Sequence, residues 1–320
     1  MKTIVAGALF AGLTLSAAAN AQRDEGLVAT QVLVAAEGKA PAALGRADLT
    51  VTVEGRTVPL DSWTAVAPAR AQVALLIDDG LRESVGRNIS AIKSFLNGLP
   101  QGVEVLVGYM QNGRVVAAQP FTADHAAAAA AIRLPQGVPG ESASPYFCLS
   151  DFVKHWPGAA VADPNAPPEL QRERTRSKSR FVLMITNGVD PYNGSTSLAN
   201  QDSPYVAAAS TDAKRAGVAV YAIYYGDAGI GGPGASLSGQ SYLEELTHAT
   251  GGKSFYQGAG NPVALDPFLK QFTQALGATY VAEFQAPAGK SGHDLVRLKV
   301  SSASKAKLRA PDEVRPGNRE

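Results

Sequence analysis

The chain has 320 residues, of which 45% are hydrophobic and 18% charged, and this balance excludes a disordered or collagen-like protein. Lysines and arginines number 29 and aspartates and glutamates 28, so the net charge of +1 excludes both an acidic tail and the basic surface that binds nucleic acid non-specifically. The single cysteine, Cys148, excludes an intrachain disulfide, zinc-ribbon spacing and Cys-x-x-Cys redox chemistry.

The first 21 residues have the pattern of a secretory signal peptide. Lys2 precedes an apolar run from Ile4 to Leu15, and the small-residue triplet Ala-Asn-Ala follows at 19–21. We therefore expect cleavage before Gln22 and a soluble protein exported to a periplasm or to the medium. No cysteine stands directly after the cleavage site, so a lipoprotein anchor is not expected. No later stretch reaches the roughly 18 apolar residues of a membrane span.

Residues 22–68 predict a small β segment. Apolar residues alternate with threonines from 49 to 53, which is typical of a strand with one buried face. Further strands are predicted from 30 to 35 and, after a Glu-Gly turn, from 56 to 60.

Buried strands and helices are predicted to alternate from residue 70 to 278. The apolar run Val73–Ile77 is typical of a strand buried on both faces of a parallel sheet, and the apolar residues that follow recur every three or four positions, as in a helix that covers a sheet. Further strands are predicted at 103–110, 114–117, 181–185 and 218–225, and further helices at 122–132, 144–156, 203–217, 242–250 and from 266. This alternation predicts a doubly wound, mostly parallel α/β sheet flanked by helices, of the Rossmann-like kind.

Residues 279–320 are predicted to return to β structure. The expected strands are 280–284 and 295–300, and the second alternates apolar and basic residues as in a solvated antiparallel sheet. The tail from Arg315 is expected to be loose. Because the two ends of a domain commonly lie close together, we expect the N-terminal and C-terminal β segments to share one small sheet.

Three polar loops are the candidate functional region, since ligands of open α/β sheets bind at the carboxyl ends of the strands. Asp78 and Asp79 follow the first buried strand, Ser142 lies just before a helix, and Asn187 and Asp190 follow a central strand. A hard cation such as Mg²⁺ takes about six oxygen ligands, which carboxylates and hydroxyls converging from three loops can supply.

The order of these segments resembles that of the von Willebrand factor type A family. That family places D-x-S-x-S after its first strand, a threonine in a middle loop and an aspartate in a T-D-G turn, and together they form a metal-ion-dependent adhesion site. The matching segments are Val73–Gly80, Gly140–Ser144, Ile185–Gly188, Val220–Gly226 and Leu243–Gly252. The β segments at both ends are similar to those that flank this domain in exported bacterial relatives. The resemblance implies that family's α/β fold and a role in adhesion or assembly.

The metal motif of that family is incomplete in this sequence. Asp78 stands at the first aspartate, but Gly80 and Arg82 occupy the serine positions, Ser142 is an approximate counterpart of the threonine, and Asn187 replaces the second aspartate. The implied ligands Asp78, Ser142 and Asn187 therefore carry one charge. A guanidinium near 4 Å opposes a unit positive charge by about 4 kcal/mol at an effective dielectric constant of 20, so we expect a degenerate site without a resident cofactor.

Alternative interpretations of these residues remain open. Mg²⁺ binding is the alternative to an empty site, with Asp79 and Asp190 as carboxylates that can compensate. Asp78 and Asp79 can instead cap the following helix, and Asn187 can open a turn whose glycine is left-handed. Ser144, followed by proline, favours a helix cap.

Other chemical signatures are weak or missing. The Gly-x-Gly-x-x-Gly pattern at 229–234 follows a late strand and contains Pro233, so we interpret it as a flexible loop rather than a dinucleotide site. Neither G-x-S-x-G nor H-E-x-x-H occurs, and the four histidines lack ligand spacing. The basic residues at 172–180 predict a solvated face, and Cys148 is expected to be buried and inert.

Together these observations predict a secreted, non-enzymatic interaction protein that uses its crevice for adhesion or assembly. The expected partner is a protein or another surface ligand, with no nucleic acid and no membrane span. The predicted binding residues are Asp78, Asp79, Arg82, Ser142, Asn187 and Asp190. Arg82 is expected to receive an anionic group from the partner. The alternatives are a nucleotide-dependent or hydrolytic enzyme in the same crevice and a purely structural envelope component.

Overall fold

Strands and helices alternate through the middle of the chain, and strands dominate near both ends. A computed structural model describes residues 26–38, 44–81, 83–138, 141–158, 178–193, 203–226, 233–258, 261–288, 294–304 and 306–318. The strands are β1 (Leu27–Glu37), β2 (Leu49–Val53), β3 (Arg56–Val58), β4 (Leu60–Ala65), β5 (Ala71–Asp78), β6 (Glu104–Gln111), β7 (Arg114–Thr122), β8 (Ser179–Thr186), β9 (Val218–Tyr224), β10 (Ser254–Phe255), β11 (Thr279–Pro287), β12 (Val296–Ser302), β13 (Lys307–Arg309) and β14 (Glu313–Val314). The helices are α1 (Ile89–Asn97), α2 (His125–Ala130), α3 (Pro145–Lys154), α4 (Pro204–Arg215), α5 (Pro233–Ala249) and α6 (Asp266–Gly277). Short 3₁₀ helices lie at Arg46–Asp48, Pro68–Arg70, Glu83–Asn88 and Pro191–Asn193.

The centre of the molecule is a six-stranded sheet in the order β10-β9-β8-β5-β6-β7. Its neighbouring strands are parallel, except that β7 runs antiparallel to β6. Strands β5, β8 and β9 are buried along almost their whole lengths, because helices cover both faces of the sheet. The predicted doubly wound, mostly parallel α/β fold is confirmed.

In the described part of the chain, three helices pack on each face of the central sheet. Alternate residues of β5 contribute to the two layers: Leu75 packs with α1, α2 and α6, and Leu76 packs with α3, α4 and α5. Ser144 and Ser203, each followed by a proline, accept N–H groups of the first turns of α3 and α4. The predicted starts of these two helices, including the capping role of Ser144, are confirmed.

The β segments from the two chain ends form two antiparallel sheets rather than the single sheet that we expected. One has the order β13-β1-β11-β4 and the other β14-β12-β2-β3, so each contains strands from both ends of the chain. Val34 and Phe284 of the first sheet share a buried core with Val53 and Leu298 of the second. Two sheets form because alternating strands bury only one face each, and packing the apolar faces together removes both from water.

Three elements of the α/β region differ clearly in length from the predictions. Strand β7 extends to Thr122, so it is longer than the predicted 114–117. Helix α2 begins only at His125, because Asp124 is its N-cap and accepts the Ala127 N–H, so it is shorter than the predicted 122–132. Helix α5 begins at Pro233 instead of 242, so the end of the glycine-rich pattern is helical. Gly239 allows this helix to lie against the loop after β8, since a Cβ there would come within 2.2 Å of the Asn187 carbonyl oxygen.

The C-terminal tail is attached to the first sheet, so the expectation of a loose tail was wrong for its described residues. The Gly317 N–H donates to the Thr30 hydroxyl over 3.2 Å. The Asn318 side chain donates to the carbonyl oxygen of Gln31 and accepts its N–H, each over 2.9 Å. These bonds hold the tail along β1 because they satisfy backbone groups of that strand.

Some predicted features lie outside the described residues. They are the signal peptide at 1–21, Arg82, part of the basic run at 172–177, part of the glycine pattern at 229–232, and His293. Arg82 is thus the one predicted binding residue without a described environment. No helix in the described part of the chain is long and apolar enough to cross a bilayer.

Candidate functional site

The candidate site lies at the carboxyl ends of the parallel strands. Because Ile77 of β5 lies opposite Ile185 of β8, the next residues, Asp78 and Thr186, are neighbours. The Thr186 hydroxyl donates to Asp78 Oδ2 over 2.8 Å, and the Ser142 hydroxyl from the loop before α3 donates to the same oxygen over 3.4 Å. We call this surface the carboxyl edge. It includes the described loop residues 79–81, 83–88, 131–138, 141–144, 187–193, 203, 256–258 and 261–265.

Asp78 is the buried centre of the carboxyl edge. Its side chain is 3% exposed, and its second oxygen, Oδ1, accepts the Gly80 N–H over 3.0 Å. Burial raises the pKa of Asp78 and outweighs the hydrogen bonds from Thr186, Gly80 and Ser142, which lower it. Both oxygens therefore have partners within the chain, and those partners come from the end of β8, the loop after β5 and the loop before α3.

Asp79 points to a different set of partners. The Arg133 guanidinium donates to Asp79 Oδ1 over 2.6 Å and to Oδ2 over 3.2 Å. Gln111 donates its amide to Oδ2 over 2.5 Å, and the Gln136 N–H donates to Oδ1 over 3.1 Å. The hydrogen bonds described for Asp78 and Asp79 thus go to loops and to β6 rather than to α1, so these carboxylates do not cap the following helix.

Asn187 and Asp190 stabilise the loop after β8. The Asn187 side-chain oxygen accepts the Val189 N–H over 3.0 Å, and Gly188 between them has a left-handed φ of 65°. This is the turn that the Asn-Gly pair predicts. Asp190 is fully buried and accepts the hydroxyl of Ser203, the N-cap of α4, over 2.8 Å. The loop is thereby joined to α4.

The oxygen ligands at the carboxyl edge do not fit a magnesium ion held by Asp78, Ser142 and Asn187. Of the three aspartates, only Asp78 contacts the Ser142 and Thr186 hydroxyls in the described structure, because Asp79 pairs with Arg133 and Asp190 accepts from Ser203. The Asn187 oxygen is already an acceptor within its own turn. Among the described residues, no group of three or more His, Cys, Asp or Glu side chains is placed to hold a metal ion.

Sequence reasoning missed two residues of this site. Thr186 stands in the turn that was compared with T-D-G, and its position at the end of a strand paired with β5 is the signal that identifies it. Arg133 has no such signal, because 54 residues separate it from Asp79 and only the folded chain brings them together.

Exposed apolar side chains surround the carboxyl edge. Within the described residues, six of the eight large apolar side chains that are exposed lie on its loops or on the adjoining first turns of α5. They are Leu134, Val138, Tyr192, Leu237, Tyr256 and Val263. Exposed apolar side chains gathered on one side of a protein commonly mark an interaction site.

Cys148 is a buried neighbour of the site, because its thiol donates to the Ser142 carbonyl oxygen over 3.3 Å. Burial raises the pKa of Cys148 to about 12, so its thiol stays protonated, as expected for an inert cysteine. His125 is within 2.8 Å of the Val103 carbonyl oxygen, His155 lies beside Asp151, and His248 is exposed on α5. None of these described histidines approaches the hydroxyls that donate to Asp78.

Comparisons with known proteins add structural neighbours. No protein-family model and no curated protein matches the chain. Von Willebrand factor type A from Catenulispora acidiphila is similar at 11% identity and a TM-score of 0.41, over 91% of this chain and 74% of that chain. The ArnB paralog VWA2 from Sulfolobus acidocaldarius is 9% identical with a TM-score of 0.37, over 90% of this chain and 76% of that chain. The SpRpn10 VWA domain is 11% identical with a TM-score of 0.38, over 65% of this chain and 97% of that chain. Von Willebrand factor type A domains, the family that the sequence resembles, are therefore among the solved structures to which this chain is similar.

Proposed function

We propose that this chain is an exported, non-enzymatic interaction module and that a partner protein docks on the carboxyl edge. The observation that carries this proposal is the set of exposed apolar side chains on several loops of that edge. Exposed apolar and aromatic groups are typical of the buried centre of protein interfaces, where a few such residues supply most of the binding free energy.

The buried polar groups support docking by fixing the loops beneath that surface. Asp78, Asp79, Ser142, Asn187 and Asp190 are all at most 5% exposed. We propose that they shape the loops while the exposed side chains contact the partner. Loops fixed before binding lose less conformational freedom on association, which favours affinity.

The proposal of a non-enzymatic role rests on the chemistry of the described edge residues. The Ser142 and Thr186 hydroxyls donate to a buried carboxylate. The Cys148 thiol donates to the Ser142 carbonyl oxygen over 3.3 Å, but burial raises its pKa to about 12, so it is not an activated nucleophile. An activated nucleophile requires a neighbouring base or a lowered pKa. This arrangement favours a binding surface over a reactive site.

Export is proposed from the signal-peptide pattern of residues 1–21. The expected mature N-terminus is Gln22. N-terminal sequencing of the protein recovered from the periplasm or medium of the expressing cell tests this. Protein found only in the cytoplasm and starting at residue 1 contradicts it.

A photo-crosslinking amino acid placed on the carboxyl edge tests the docking proposal. We expect one partner protein to be crosslinked in the exporting cell from Val138 and Tyr192, but not from the exposed control positions Leu27 and Val116. With the purified partner, the double change Val138→Ser and Tyr192→Ser is expected to weaken binding about tenfold or more. Val116→Ser is expected to leave the Kd unchanged. Equal crosslinking from all four positions, or an unchanged Kd for the double variant, overturns the proposal.

Arg82 is proposed from the sequence to receive an anionic group of the same partner, because a guanidinium binds carboxylates and phosphates through paired hydrogen bonds. Arg82→Ala is expected to weaken binding and to make it less sensitive to salt. An unchanged Kd would exclude this contact while leaving the apolar docking surface untouched.

A further inference from the structure

The second acidic residue of the carboxyl edge is neutralised by a cation of the chain itself. Asp79 is 2% exposed, and two guanidinium nitrogens of Arg133 donate to its two carboxylate oxygens. Gln111 adds a third side-chain donor over 2.5 Å. A planar guanidinium that bonds both oxygens neutralises a carboxylate with a defined geometry, which a single point charge does not impose.

Arg133 is itself held in place by Tyr109 of β6. The guanidinium carbon lies 3.7 Å from the centre of the Tyr109 ring, within the range of a cation–π contact. The Tyr109 hydroxyl donates to the Arg133 carbonyl oxygen over 2.9 Å and accepts its N–H over 2.7 Å. Because the ring of Tyr109 is buried in the sheet, the cation is positioned by the core and not by a ligand.

The same ion pair joins two loops of the carboxyl edge. The Gln136 N–H donates to the Asp79 carboxylate over 3.1 Å, and the Gly137 N–H donates to the Asp79 carbonyl oxygen over 3.0 Å. A Cβ at Gly137 would come within 2.9 Å of that carbonyl oxygen, so the two loops are in close contact. The middle loop continues to Ser142, which donates to Asp78.

We infer that Arg133 is a positioning residue that acts as an internal cation and assembles the loops of the carboxyl edge without a divalent ion. A bound dication would draw carboxylates from different loops together. Here the Arg133 guanidinium holds Asp79 and the loop at 133–137, while hydroxyls hold Asp78. The inference concerns the state of the free protein and is independent of any partner.

Amide hydrogen exchange at Gln136 and Gly137 tests this inference. In the native protein, exchange at these amides is expected to be the same in millimolar Mg²⁺ and in EDTA, and Mg²⁺ alone is expected to give no binding heat in calorimetry and no rise in Tm. Arg133→Ala is expected to accelerate exchange at both amides about tenfold or more, while core amides of β5 change less, because the loops open locally.

Two further variants control this experiment. Arg215 also bonds both oxygens of an aspartate, Asp294, over 2.7 and 2.9 Å, but away from the carboxyl edge, so Arg215→Ala is expected to leave Gln136 and Gly137 unaffected. Arg133→Lys keeps the positive charge but cannot bond both Asp79 oxygens through two nitrogens, so it is expected to give intermediate exchange rates. If Arg133→Ala does not fold, Arg133→Lys replaces it in the test. Protection of these amides by Mg²⁺ in the native protein overturns the inference. So does native-like exchange in both Arg133 variants, or equal acceleration at loop and core amides.

Discussion

At the scale of single residues, Asp78 is stabilised by hydroxyl and N–H donors from the end of β8 and from two loops. The shortest of these bonds is the 2.8 Å bond from Thr186, whose hydroxyl also accepts the Gly188 N–H over 3.2 Å. One side chain thus supports both the buried carboxylate and the turn after β8. Removing that hydroxyl therefore affects two loops at once.

Thr186→Val removes this hydroxyl while keeping the side-chain shape. We expect a loss of about 1.5–3 kcal/mol in the free energy of unfolding, because a buried acceptor loses a donor. Urea unfolding monitored by circular dichroism measures the change. Thr273→Val is the matched control, since among the described residues the Thr273 hydroxyl donates to the Leu269 carbonyl oxygen within its own helix α6. A change below about 0.5 kcal/mol is expected there. Equal losses in the two variants would contradict this prediction.

At the scale of elements, a polar network joins strands at the opposite end of the central sheet. Glu104, at the start of β6, accepts from Gln72 of β5 and from Lys178 just before β8, each over 2.8 Å. The Trp156 indole N–H after α3 donates to Gln72 over 2.9 Å. Burial alone would raise the pKa of Glu104, but the hydrogen bonds from Lys178 and Gln72 outweigh it, so the pKa is lowered.

The lowered pKa of Glu104 predicts a pH-dependent contribution to stability. A carboxyl group whose pKa is lowered in the folded state stabilises it fully above the ordinary value of 4.5, and this stabilisation is lost as pH falls below 4.5 through the folded-state pKa. We therefore expect Glu104→Gln to be less stable than the native protein at neutral pH, with the difference shrinking below pH 4.5. Urea unfolding across this pH range tests it. Glu244→Gln on the exposed face of α5 is the control, and a constant difference at all pH values would contradict the prediction.

At the scale of the whole molecule, the C-terminal segment connects the α/β sheet to the two antiparallel sheets. Lys214 of α4 is 8% exposed and donates to Asp312 over 3.0 Å and to Glu313 over 2.7 Å, at the start of β14. Burial alone would lower the pKa of Lys214, but its hydrogen bonds to the Glu313 and Asp312 carboxylates outweigh burial, so the pKa is raised. This contribution to stability is fully present below the ordinary pKa of 10.5 and is lost as pH rises through the folded-state pKa.

Neutralising both acids, with Asp312→Asn and Glu313→Gln, leaves the Lys214 ammonium buried against uncharged acceptors. We expect the free energy of unfolding to fall by about 1–2 kcal/mol. This is toward the low end for a buried pair, because both acids are more than a third exposed and solvent partly screens their charges. Thermal and urea unfolding measure it. Asp294→Asn breaks the more exposed pair with Arg215 and is expected to cost less than about 1 kcal/mol. A larger loss from Asp294→Asn would refute the ranking.

Much of the α/β fold was predictable because its signals are local. Continuous apolar runs identified β5, β8 and β9, which must be buried on both faces, and the Ser-Pro pairs identified the starts of α3 and α4. The pairing of β1 with β11 and of β2 with β12 had no comparable signal. Alternation shows that a strand has one buried face but not which sheet it joins.

The sequence by itself determined where strands and helices lie in the α/β region and which three turns carry the polar groups, because periodicity and capping are properties of neighbouring residues. Only the tertiary structure decided how those groups are paired. The contact of Asp79 with Arg133 and the two-sheet core of the chain ends join residues far apart in sequence. Such contacts depend on packing and on the exclusion of water in the folded molecule, which no local pattern encodes.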